Sequence, residues 1–160
     1  MRPDRRLREI EGVYRAKFPL FVQVARAITG DPERAVEAVQ DAFASAVRSR
    51  QSFRGDGPLE AWLWRAVVNA AKKAVRRPLV EVGQAADETY VVPDGVRELA
   101  PLISALPERQ RLVVFLRYYA DLDYRTIAAA MEIEVGTVSA SLAAAHTTLR
   151  KQLRKVEHDA

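Results

Sequence analysis

Between Leu59 and Arg77 the chain carries Arg65, Asn69, Lys72, Lys73 and Arg76 at helical spacing, with Trp62 and Trp64 near the N-terminal end of the stretch. Cations mixed with aromatic rings and an amide are what a nucleic-acid surface needs. Phosphates attract the charge, unstacked bases lie on rings, and Asn can satisfy a base edge with two hydrogen bonds. The plainer reading is a solvated basic face beside two core tryptophans. A second set of side chains, Glu33, Glu37, Gln40 and Asp41, shares one helical face and has the opposite sign. Opposite faces so close in sequence suit two partners, one anionic and one not, although solvated helices carry such charges routinely. His146 and His158 have no carboxylate or hydroxyl at a spacing that would build a catalytic group, so a small enzyme is disfavoured. With no cysteine in the chain, disulfide, thiolate-metal and cysteine-nucleophile chemistry are excluded.

The elements that must hold these residues are helices. Pro58 follows the turn Gly55-Asp56-Gly57 and suits the first position of a helix that packs Leu63, Val67, Ala70 and Ala74. Upstream, Leu7, Ile10, Val13 or Tyr14, and Phe18 recur at helical spacing; Pro19 should interrupt that helix, which restarts at Leu20 and ends at Gly30. Asp31 caps the next helix, Pro32 opens it, and Val36, Val39, Phe43 and Val47 face inward. Gln51 to Gly57 reads as a loop that sets Phe53 and Arg54 beside the tryptophan end of the basic helix. Downstream, Pro101 marks or kinks a short helix, and Pro107 opens one that buries Leu112, Val113, Phe115, Leu116 and Tyr119. Asp123 caps a short helix, Tyr124 to Met131, and a break at Glu132-Ile133-Glu134 leads into a long helix from Val135. Two helices joined by so short a turn form either a helix-turn-helix or an αα-hairpin with no role on DNA.

The length of 160 residues and a hydrophobic content of 49% suit one core or two small ones. Charge is uneven. Residues 1–77 hold 16 Lys and Arg against 9 Asp and Glu, residues 78–96 hold Glu81, Asp87, Glu88 and Asp94 with no base, and residues 97–160 are nearly balanced. The positive field therefore belongs to the first half, where it would speed the approach of a polyanion. Between Pro78 and Gly95 no helical or strand period lasts, which marks an acidic, turn-rich linker. The expectation is an all-α protein with domains at 1–77 and 96–160 joined by a flexible acidic linker at 78–95. No run of about 18 apolar residues occurs, so no membrane insertion is expected and the protein should stay in the cytoplasm.

Three stretches carry a family resemblance. Leu106 to Val138, with its Leu-Pro opening and Val-Gly-Thr-Val, resembles region 4 of bacterial sigma factors. Ala38 to Phe43 (AVQDAF), Phe53 to Gly57 (FRGDG) and Ala61 to Arg77 resemble region 2. Two matches in this order look like the small extracytoplasmic-function group. The resemblance implies a region 2 helical bundle and a region 4 helix-turn-helix. It also implies a transcription initiation factor that recruits core RNA polymerase to promoters, with no catalysis or cofactor of its own.

By that resemblance Glu37, Gln40 and Asp41 would dock on the β′ coiled coil of the polymerase, and region 4 on the β flap. Phe53, Arg54, Trp62, Trp64, Arg65, Asn69, Lys72, Lys73, Arg76 and Arg77 would engage the minus-10 element. Arg125, Thr137, Ser139, Ser141 and His146 would meet the minus-35 element, and an anti-sigma factor is a further partner. The second half departs from the family pattern where DNA should be read. Ser139 to His146 contains no Lys or Arg, Glu132 stands at the usual turn Gly, and Glu134 stands at the usual capping Ser. Phosphate neutralisation dominates affinity, so minus-35 recognition should be weak or unusual. Glu132 must take a strained positive φ, or the turn has another shape. The alternative reading is a sigma-like interaction protein whose second domain holds a protein, with Ala143-Ala144-Ala145 allowing close helix packing.

Overall fold

The computed structural model describes residues 4–75 and 100–159. Every regular element among them is helical. The first sub-region contains α1 (Arg5–Thr29), α2 (Pro32–Arg48), a single 3₁₀ turn (Arg50–Ser52) and α3 (Leu59–Val75). The second contains α4 (Ala100–Ser104), α5 (Glu108–Val114), which runs on as a π turn (Phe115–Tyr119), α6 (Tyr124–Met131) and α7 (Val135–His158). The expected linker and the contacts assigned to Arg76 and Arg77 lie outside the described residues.

Local chemistry sets most of the boundaries. The Asp4 carboxylate accepts from the backbone N–H of Arg6 and Leu7 to open α1, and Asp31 caps α2 by accepting from Glu33 N at 3.1 Å. Gly30 ends α1 at φ 73, a left-handed conformation in which a side chain would be strained. The expected break at Pro19 does not occur, since α1 passes through it without interruption. Proline removes one hydrogen bond to the carbonyl four residues back, but Pro19 and Arg15 are both exposed, so water can take the freed carbonyl. Leu59 rather than Pro58 is the first α3 residue, while the Pro58 carbonyl accepts the first bonds from Ala61 and Trp62.

α1, α2 and α3 pack on one another around Ile10, Phe21, Val24, Val39, Phe43, Leu63, Trp64 and Val67. Glu33, Glu37, Gln40 and Asp41 are all exposed on the opposite side of α2. In the second sub-region α7 packs on α5 and α6 through Val138, Leu142 and Ala145, in one cluster with Val113, Leu116 and Ile127. α6 and α7 cross at 100°, within the helix-turn-helix range. The two sub-regions also touch: α3 lies against α6, and α1 meets α5 and the π turn, so the buried side chains join into one cluster.

Candidate nucleic-acid interface

The site is built on the outer face of α3 and the loop before it. Ala61, Leu63, Trp64, Val67, Val68 and Ala71 anchor the inner face. That fixes the rotation of the helix and turns Arg65, Asn69 and Lys73 outward, all three exposed, with Lys72 partly buried. Trp62 lies at the edge, half-buried, with its ring 5.4 Å from that of Phe53, while the Arg6 guanidinium lies over Phe53 at 4.6 Å. Trp62, Arg65 and Asn69 face Ser45, Ser49 and Ser52 across an open cleft of about 260 Å³. An aromatic wall, a cation, an amide and three hydroxyls around a space of that size suit a planar polar ring such as an unstacked base.

The loop is tied down by a group that sequence reasoning missed. Arg50 Nε donates to the Asp4 carboxylate at 2.5 Å, and Arg50 Nη1 donates to the Val47 carbonyl at 2.6 Å. Asp4 thus caps α1 and anchors the 3₁₀ turn together. The Arg50 hydrogen bond, followed by that from Leu7 N, holds its carboxyl below the usual carboxylate range. The only signal in the sequence was the capping residue itself, because its partner is remote in the chain. Arg54 and Gly55 complete an exposed loop tip, with Gly55 at φ 78.

Trp64 requires a correction. Its side chain has no exposed surface, its ring stands 4.2 Å from that of Phe21, and its Nε1 donates to Glu60 Oε1 at 3.3 Å. It is a core residue and offers no face to a base. Lys17 also pairs with the Glu60 carboxylate, which links α1 to the start of α3.

The minus-35 candidates scatter. Ser139 and Arg125 are exposed and Thr137 is half-buried, but Ser141 is buried on the packed side of α7 with Val138, Leu142 and Ala145. Ser141 therefore leaves the contact set, since its position on the helix is one of the core positions. His146 is also committed, with Nε2 2.8 Å from the Tyr118 hydroxyl. Tyr118, 60% exposed at the π turn, was not anticipated: a helical reading of α5 carries no mark of the extra residue in that turn. Glu132 takes φ 57, the strained alternative foreseen for a turn without glycine, and Glu134 precedes α7 without making a side-chain cap. Asp123 caps α6 as expected, accepting from Thr126 N at 2.7 Å, and the hydrogen bond from the Thr126 side chain, followed by that from its backbone N–H, lowers its pKa.

The cations of α3 also meet the second sub-region. Arg65 pairs with the Glu132 carboxylate, and Lys72 Nζ lies 3.9 Å from Glu108. Among the described residues no group of three or more His, Asp or Glu is placed to hold a metal ion, and no single helix is long and apolar enough to cross a membrane.

Family comparisons agree with this architecture. The "Sigma-70 region 2" family matches residues 13–78 and the "Sigma-70, region 4" family matches residues 97–149. The RNA polymerase sigma-H factor of Pseudomonas aeruginosa is 30% identical over 151 residues, covering 81% of this chain and 78% of its own. The ECF RNA polymerase sigma-E factor of Escherichia coli strain K12 is 32% identical over 123 residues, and the match spans 64% of each chain. Among solved structures, CnrH in complex with the cytosolic domain of CnrY superposes with a TM-score of 0.72 at 22% identity, covering 92% of this chain and 89% of that one. The sigma factor RpoE in complex with the anti-sigma factor NepR from Bartonella quintana gives 0.71 at 19% identity, covering 91% and 97%. With both sigma-70 regions matched in order and a relative aligned over most of both lengths, the chain belongs to the sigma-70 family of bacterial RNA polymerase sigma factors, in its extracytoplasmic-function group.

Proposed function

We propose that this protein is a transcription initiation factor that binds core RNA polymerase and directs it to promoters, with the outer face of α3 reading the minus-10 element. The cleft between Trp62, Arg65, Asn69 and the serines of α2 and the 3₁₀ turn carries this reading. It offers a melted strand a base-sized recess beside the cations of α3. Phe53, Arg54, Lys72, Lys73, Arg76 and Arg77 would extend the contact along the strand. Glu37, Gln40 and Asp41 would form the polymerase face, meeting the β′ coiled coil, while the second sub-region would meet the β flap. The polymerase would supply metal and chemistry, and the protein would work in the cytoplasm. Two structural neighbours were solved with protein partners, one of them called an anti-sigma factor, which supports a partner of that kind here.

The minus-35 contribution would be the weaker one, from Arg125, Thr137, Ser139 and the outer part of His146. The same depletion favours a second reading, a sigma-like interaction protein whose second domain grips a protein. Transcription with core polymerase, this protein and a genomic DNA library, with transcript starts mapped by sequencing, separates the two. Discrete starts sharing a motif near minus 10 are expected. Stable binding to core polymerase without specific starts would instead favour the interaction protein.

A further inference from the structure

The segment that carries one wall of the cleft has no core anchor of its own. From Ser49 to Pro58 no residue is buried, and only Arg50 and Phe53 are half-buried. Both of these are held from the start of α1. The Asp4 carboxylate divides its two oxygens: Oδ1 accepts from Arg6 N and Leu7 N, which caps the helix, while Oδ2 accepts from Arg50 Nε at 2.5 Å. The Arg6 guanidinium is turned by a 3.0 Å ion pair with Glu9 and covers the Phe53 ring at 4.6 Å. Neither Asp4 nor Arg6 lines the cleft, yet each contact lands beside a residue that does. Arg50 follows Ser49, and Phe53 follows Ser52 and leans on the ring of Trp62. A recess tells one base from another only while its walls keep their spacing, and an exposed segment keeps it only if something outside holds it.

We propose that Asp4 and Arg6 are positioning residues for base selection: from outside the cleft they hold Ser49, Ser52 and the Phe53–Trp62 pair at the spacing that discriminates among bases. This rests on the reading of the cleft as the site of an unstacked base. The brace governs which base is preferred more than how tightly a strand binds, because phosphate contacts along α3 supply most of the affinity.

Acrylamide quenching of tryptophan fluorescence on the full chain reads the brace without nucleic acid, since Trp64 is sealed and Trp62 is half-buried. Asp4→Asn keeps an oxygen for the helix cap and loses the acceptor for Arg50, while Arg6→Met keeps the stem and loses the cation. Both raise the quenching, as does Arg50→Met; Arg50→Lys, which retains a donor for Asp4, stays near wild type. Base selection is then read with core polymerase on a template library randomised around minus 10, by sequencing the transcripts. Asp4→Asn and Arg6→Met lower the ratio of preferred to next base at one position by about 3- to 10-fold, with binding to core polymerase unchanged. Arg50→Lys again follows wild type. Arg5→Met removes the same charge from an exposed neighbour that also pairs with Glu9, and it changes neither readout. Unchanged quenching in Asp4→Asn and Arg6→Met overturns the brace, and so does an equal loss of selection in Arg5→Met, which would make the effect one of net charge. Selection blunted by Asn69→Ala in the cleft but not by Asp4→Asn or Arg6→Met overturns it too. If Asn69→Ala also leaves selection intact, or no start is selective, the base-site reading of the cleft fails and the role of the brace with it.

Discussion

Glu132 holds φ 57 at a turn where a glycine would have no side chain to strain. Its replacement by glycine removes that strain and also the Arg65 ion pair. The first is worth about 1 kcal/mol, and an exposed pair such as the second, about 0–1 kcal/mol. Glu132→Gly is therefore expected to raise the thermal midpoint by about 1–3 °C, read by differential scanning calorimetry; a lowered midpoint would mean that the ion pair outweighs the strain. Asp123 behaves as a cap with a titration attached. Its folded pKa lies below the ordinary value because Thr126 donates to the carboxylate, so its stabilisation is present above the ordinary carboxylate range. It is lost as pH falls through the lowered folded value. Asp123→Ala should cost about 1 kcal/mol at neutral pH, and its gap from wild type in urea melts should close on acidification. A gap independent of pH would assign the loss to something other than the charged cap. Both residues were legible in the sequence, one as a cap before an apolar run and the other as a missing glycine. The pairs Arg65–Glu132 and Arg50–Asp4 were not, because nothing local links residues so far apart in the chain.

At the scale of the element, α3 shows how one helix separates core from contact. Trp62 and Trp64 are two residues apart, yet Trp64 is sealed against Phe21 while Trp62 edges the cleft. Trp64→Ala should destabilise the fold by about 3–5 kcal/mol. Trp62→Ala should leave the melting curve close to wild type and weaken strand binding by about 1–3 kcal/mol. Denaturant melts and fluorescence anisotropy on the same two variants check this, and equal loss of stability in both would remove Trp62 from the interface. The basic stripe and the caps of α2 and α6 could be read from spacing and residue type. Which tryptophan turned inward could not, since both flank the apolar stripe and only packing against α1 decides. The continuity of α1 through Pro19 and the π turn that exposes Tyr118 were equally illegible, because water at one carbonyl and one extra residue in a turn leave no periodic trace.

For the whole molecule, charge distribution assigns the work. The first 77 residues carry the excess of cations, whereas the second sub-region sets Glu132 and Glu134 beside the start of α7. Two sub-regions in sequence order could be anticipated from patterning; their mutual packing through α3 and α6 could not, because it depends on surfaces that each half presents only after folding. Promoter affinity should therefore depend on salt through the first half. Each phosphate contact on a single strand contributes about −0.7 to the slope of log affinity against log salt. Lys72→Ala with Lys73→Ala should flatten that slope by about 1.4. Arg150→Ala with Arg154→Ala, at the exposed far end of α7, should leave it within about 0.3 of wild type if the strand runs along α3 as proposed. On a duplex carrying only the upstream promoter half, Ser139→Arg should add a phosphate or base contact that the native helix lacks and steepen the slope by about 0.9. Anisotropy titrations across a range of potassium chloride concentrations measure all three. A slope governed by the α7 cations and insensitive to Lys72 and Lys73 would reverse the order of the two halves and make α7 the principal anchor on DNA.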